Sequence, residues 1–136
     1  MSSLRVIGDS HVNPEIWEEI APGISTISYP GFKVEQILQF EMFENNEQIM
    51  MIAGSNDQLY YDELIELYDK VAAEYQDNDF TFVLPFYLYK AFSVAETDSK
   101  KYNLCAYNPD IDDYQDDRVH LTDQGQRKFI SFLLSI

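Results

Sequence analysis

The stretch from Gln48 to Ala53 carries Ile49, Met50, Met51 and Ile52 with no polar interruption. A strand with one wet face alternates apolar and polar residues. A short unbroken apolar run instead fits a strand buried on both faces, as in the middle of a parallel sheet covered by helices. Phe80 to Leu84, closed by Pro85, reads the same way. Two such strands in one short chain constrain it to an α/β fold with helices on both sides of a sheet.

The segments around them supply the other layers. Leu4 to Ile7 reads as a first strand and Ile24 to Ser28 as a second, followed by a turn at Tyr29-Pro30-Gly31. Asn13-Pro14-Glu15 is a helix start, with a capping side chain, proline at the first helical position and acid in the first turn. That helix runs to about Ile20 and stops before Pro22-Gly23. Val34, Ile37, Leu38 and Met42 recur at helical spacing, as do Leu64, Tyr68, Val71 and Tyr75. Residues 86–99 read as partly helical, Asn103 to Tyr107 as a short fifth strand, and a closing helix starts near Thr122 with Phe129, Ile130 and Leu133 facing inward. No repeat or linker divides the chain, so residues 1–136 are expected to form a single domain.

Charge and cysteine content narrow the function. The net charge of −15 repels phosphate backbones, and Lys100-Lys101 and Arg127-Lys128 are isolated basic pairs, so no nucleic-acid partner is expected. Cys105 is the only cysteine, which excludes an internal disulfide and suits a reducing compartment. The chain enters a strand almost at once, with no signal-peptide pattern and no membrane-spanning run. These features favour a soluble, intracellular protein without membrane attachment.

The chemistry sits in four separated stretches. Gly8-Asp9-Ser10 follows the first strand, where a hydroxyl projects from the carboxyl edge of the sheet. Asp117-Arg118-Val119-His120 provides a base and, three residues before it, a carboxylate to orient it. Spacing favours Asp117 over the neighbouring Asp116 for that role. His11, the only other histidine, is expected to point to the other side of the turn, away from Ser10. Gly31 and the run Gly54-Ser55-Asn56-Asp57 lie between and offer donors to an anionic oxygen. Each stretch alone also reads as ordinary structure: a turn before a capped helix, a loop carboxylate near a helix-start histidine, a Pro-Gly turn, a helix cap. Their order, and their placement after strands, is what those readings leave unexplained.

In that order the stretches resemble the four sequence blocks of the SGNH hydrolase superfamily, the GDSL-type esterases. The resemblance implies a flavodoxin-like, three-layer α/β/α sandwich with a five-stranded, mainly parallel sheet. It also implies hydrolysis of esters, thioesters or acetylated sugars with no cofactor. By the same resemblance Ser10 is the nucleophile, His120 the base and Asp117 its orienting partner. The backbone N–H groups of Ser10 and Gly31 and the side-chain amide of Asn56 form the oxyanion hole. Gly54 lets backbone pass close to the site, and bulky Phe32 restricts it to small acyl groups.

The Gly-Asp-Ser-His start and small size are similar to esterase-like domains of some retrotransposon and viral proteins. Some SGNH-like domains have lost catalysis and serve as binding or assembly modules, which is the alternative function. Here the residues such domains lose are present, which favours an esterase acting on a small-molecule ester. There is no Gly-x-Ser-x-Gly elbow, phosphate-binding glycine loop or dinucleotide fingerprint. The acidic loop Asp110 to Asp117 lacks the glycine and terminal glutamate of an EF-hand, so no metal is assigned.

Overall fold

The computed structural model describes residues 4–93 and 100–136. Strands β1 (Leu4–Gly8), β2 (Ser25–Ser28), β3 (Gln48–Ile52), β4 (Asp79–Val83) and β5 (Asn103–Cys105) form one sheet in the order β2-β1-β3-β4-β5. Every neighbouring pair is parallel. Helices α1 (Pro14–Ile20), α2 (Val34–Phe40), α3 (Tyr61–Glu74) and α4 (Asp123–Leu134) cover the sheet, making a three-layer α/β/α sandwich.

The alternation of side chains along each strand explains the unbroken apolar runs. Ile49 and Met51 of β3 pack with Val34 and Ile37 of α2 and Leu64, Tyr68 and Val71 of α3. Met50 and Ile52 face the other way, onto Ile16 and Trp17 of α1 and Phe129, Ile130 and Leu133 of α4. Ile7 and Val6 of β1 divide between the two faces in the same manner. On the α2–α3 side Tyr68 stacks on Phe82 with ring centroids 4.2 Å apart, and Phe82 stacks on Phe80 at 5.2 Å. Offset aromatic pairs of this kind add to the stabilisation from burial alone.

The helix starts follow from local chemistry. Asn13 Oδ1 accepts the Ile16 N–H at 3.2 Å, and Thr122 Oγ1 accepts the Gly125 N–H at 3.1 Å, each satisfying a donor left free by the first helical turn. The strand order reverses at β1, with β2 on one side and β3 on the other. Such a reversal opens a crevice at the carboxyl ends of the two strands, and Ser10 lies in the loop directly after β1.

Gly8 marks how tightly this corner is packed. A Cβ there would lie 2.3 Å from the Ile52 carbonyl oxygen and 2.6 Å from Val12 Cγ2. Gly8→Ala is expected to destabilise the fold by about 1–3 kcal/mol, the usual cost of overpacking. Urea unfolding measures this as a lower midpoint with an unchanged slope.

Several boundaries differ from the sequence reading. Met42 lies beyond α2, with a relative exposure of 87%, instead of on its inner face. The chain turns extended at Glu41 because Tyr29 Oη donates to Glu41 Oε1 at 2.6 Å and Arg5 Nη2 donates to the Met42 carbonyl at 2.9 Å. The same bond to Glu41 pushes the Tyr29 phenol up to about 12. β5 ends at Cys105, two residues before Tyr107. Phe86–Ala91 forms 3-10 turns, Phe92 and Ser93 lie outside any helix, and residues 94–99 of the expected helical stretch lie outside the described residues.

Candidate active site

Three loops are stitched together at the carboxyl edge of the sheet. The Asp9 N–H donates to the Ile52 carbonyl at 3.1 Å, tying the β1 loop to β3. Tyr29 N–H donates to the Gly8 carbonyl at 2.8 Å, and Ser28 Oγ donates to the Asp9 carbonyl at 2.7 Å, tying it to β2. Asn56 Nδ2 donates to the Phe32 carbonyl at 3.0 Å, and Val34 N–H to Asp57 Oδ1 at 3.1 Å, joining the β2 and β3 loops. Burial raises the pKa of Asp57, and the Val34 N–H partly opposes that.

The fourth stretch reaches this corner from the far end of the chain. His120 Nε2 lies 2.9 Å from Ser10 Oγ, a contact spanning 110 residues. On the other side of the ring, His120 Nδ1 lies 2.7 Å from Asp117 Oδ2. A carboxylate only accepts, so Nδ1 carries the proton and Nε2 presents its lone pair to the serine hydroxyl. Ser10 is half-buried, while the His120 and Asp117 side chains are 41% and 46% exposed.

Asp117 is held by more than the ring. Its Oδ1 accepts the Val119 N–H at 2.9 Å and the His120 N–H at 3.0 Å. The His120 ring bond, followed by these two backbone bonds, holds the Asp117 carboxyl down at about 2. The chain makes this tight turn with Arg118 at φ 58°, and Gln115 closes it. Gln115 N–H donates to the His120 carbonyl at 2.8 Å, and Gln115 Nε2 to the Leu121 carbonyl at 2.9 Å. The turn then docks on α4 through Thr122 N–H to the Asp113 carbonyl at 2.8 Å. Gly125 permits that approach, since a Cβ there would meet the same carbonyl oxygen at 2.5 Å. Lys128 pairs with Asp113 at 3.1 Å and with Asp110 at 3.5 Å, so part of the acidic loop is neutralised from α4.

The donor groups expected around an oxyanion are placed as follows. Among the described residues no acceptor takes the Ser10 or Gly31 backbone N–H. Gly31 has φ 81°, a conformation that favours glycine, so a side chain there would strain the turn. One N–H of the Asn56 amide goes to the Phe32 carbonyl, which leaves the other available. Phe32, immediately after Gly31, stacks on Tyr29 at 5.3 Å and packs at a tilt against Phe40 at 5.5 Å.

His11 does not bond to Ser10 among the described residues. It is buried, and its ring stacks on the His120 ring with centroids 5.5 Å apart and planes at 24°. The Asp9 carboxylate turns it there: Asp9 Oδ1 accepts both the His11 backbone N–H at 2.9 Å and Nδ1 at 3.0 Å. Gln115 and Gly125 were not singled out by the sequence, and Asp9 stood out only as part of Gly8-Asp9-Ser10. Their roles come from contacts with residues distant in sequence or from one side chain folding back on its own turn. Cys105, by contrast, is a partly buried thiol whose desolvation pushes it up to about 12, which makes it a poor nucleophile.

No protein-family model, curated protein or solved structure matches the chain. Among the described residues, no helix is long and apolar enough to cross a membrane.

Proposed function

We propose that the chain is a serine hydrolase acting on carboxylic esters. The observation that carries this reading is the unbroken relay from Ser10 Oγ to His120 Nε2 at 2.9 Å and from His120 Nδ1 to Asp117 Oδ2 at 2.7 Å. Within that class we place it among the SGNH, or GDSL-type, esterases. The parallel sheet order and the sequence order of Ser10, Gly31, Asn56 and Asp117–His120 support the placement. Phe32 beside Gly31 favours a small acyl group such as acetyl.

The reaction runs as two acyl transfers. Ser10 Oγ bonds to the ester carbonyl carbon as His120 Nε2 takes the hydroxyl proton, and the carbonyl π pair moves onto oxygen. The Ser10 and Gly31 N–H groups and the Asn56 amide receive that oxyanion, while Asp117 stabilises the imidazolium. The oxyanion collapses, the ester C–O bond breaks, and His120 passes its proton to the leaving alcohol. Water then repeats the sequence on the acyl-serine, with His120 as base, and releases the acid and Ser10.

Hydrolysis of p-nitrophenyl acetate tests the reading through Asn56. Asn56→Ala is expected to lower kcat by roughly 10²–10³-fold, the usual effect of losing one oxyanion donor. Because Asn56 also bonds the Phe32 carbonyl, the folded state of the variant is checked by circular dichroism. A folded Asn56→Ala protein with wild-type kcat would remove Asn56 from the mechanism.

A further inference from the structure

Two histidine rings lie against each other at this site, and the relay uses only one. The second, His11, is fastened on every side. Asp9 Oδ1 meets its Nδ1 at 3.0 Å, and the Val119 carbonyl oxygen lies 3.3 Å from its Nε2. Phe86 packs edge-on at 5.1 Å, and Gln126 Nε2 of α4 donates to the His11 carbonyl at 3.3 Å. Asp9 is itself 1% exposed, so the anchor is part of the core of the molecule.

His120 has the opposite character. Its side chain is 41% exposed and sits on a turn at the end of a long surface loop. Among the described residues, the side chains that meet its ring are those of Ser10, Asp117 and the stacked His11. His11 Nε2 also reaches the carbonyl of Val119, the residue directly before His120. A single buried side chain therefore braces both the ring plane of His120 and the peptide that carries it.

We propose that His11, anchored by the buried Asp9 carboxylate, is a positioning residue that holds the His120 imidazole in line with Ser10. The kinetic side of this inference rests on the serine-hydrolase reading; the ordering of the ring does not. Misplacing a catalytic group by about 1 Å can cost about 10²-fold in rate, so an exposed base gains from such a brace. Substitutions separate its parts. Phenylalanine keeps an aromatic face against His120 but loses both nitrogens. Glutamine loses the ring but can still donate an amide N–H toward the Val119 carbonyl. Asparagine can replace only the bond to Asp9.

The experiment compares wild type with His11→Phe, His11→Gln and His11→Asn in the full chain. It reads kcat and KM for p-nitrophenyl acetate, together with the ring ¹⁵N and Nδ1–H signals of His120 by NMR. The expected result is a kcat about 10- to 100-fold lower in His11→Phe and His11→Asn, with partial recovery in His11→Gln. KM stays within about twofold of wild type, because the brace acts on the base and not on ground-state binding. The His120 Nδ1–H signal, held by Asp117 in wild type, broadens or disappears in the same variants.

Folded His11→Phe and His11→Asn proteins with wild-type kcat and an unchanged His120 signal would overturn the proposal. If His11→Phe does not fold, the asparagine variant decides in the same way. A wild-type protein without esterase activity would sink the functional reading alone. The NMR comparison then judges the brace: loss of the Nδ1–H signal supports it, and an unchanged signal overturns it.

Discussion

Ser10→Ala is expected to reduce ester hydrolysis by about 10⁴- to 10⁶-fold while leaving the fold intact. Among the described residues the hydroxyl makes one side-chain hydrogen bond, to His120 Nε2 at 2.9 Å, and Ser10 lies at the half-open edge of the sheet. Removing one oxygen there takes away the nucleophile without opening a cavity in the core. His120→Ala should cost a similar factor, because a serine hydroxyl without a base is a poor nucleophile. The double variant is then expected to be little worse than either single one, since the two groups act as a unit. Steady-state kinetics of the three proteins check this directly. Multiplying losses in the double variant would mean that Ser10 and His120 work independently, which the 2.9 Å contact argues against.

Asp117→Asn should lower kcat by about 10³- to 10⁴-fold with little change in KM. The substitution nearly preserves shape but replaces an acceptor with a group that can donate. An amide N–H facing His120 Nδ1 favours the ring form with its proton on Nε2, where it cannot accept from Ser10. Asp117 is held at about 2, so it stays ionised across the working range. For stability, the Asp117 pKa is depressed from 3.8 to about 2, so its contribution is present above about pH 4 and fades as pH falls through about 2. Acid titration followed by circular dichroism should therefore show wild type and Asp117→Asn converging below about pH 2. A wild-type advantage that persisted there would contradict the assigned bonds.

The sheet was legible because its central strands are buried on both faces, and Ile49 to Ile52 carry the plain mark of that burial. Pro14 after Asn13 and the Thr122 cap placed two helix starts for local reasons that survive in the folded chain. The Met42 error has the opposite origin. Arg5 and Tyr29, distant in sequence, draw the chain out of the helix at Glu41, and spacing alone carries no trace of them. Ser10, Asp117 and His120 stood out because the chain has only two histidines, an aspartate stands three residues before His120, and Ser10 follows a strand-like run. The contact of His11 with His120 carried no signal, because the Asp9 carboxylate sets where its ring lies. Gln115 carried no signal, since its function is to close a turn whose pairing with Leu121 appears only in the fold.

The central claim is that Ser10 is a nucleophile activated by His120. The most direct measurement is mass spectrometry of the full chain after treatment with a small fluorophosphonate. The expected result is a single phosphonyl adduct on Ser10 in wild type and strongly slowed labelling in His120→Ala. An unlabelled Ser10 in folded wild-type protein, or equal labelling rates in the two proteins, would contradict it.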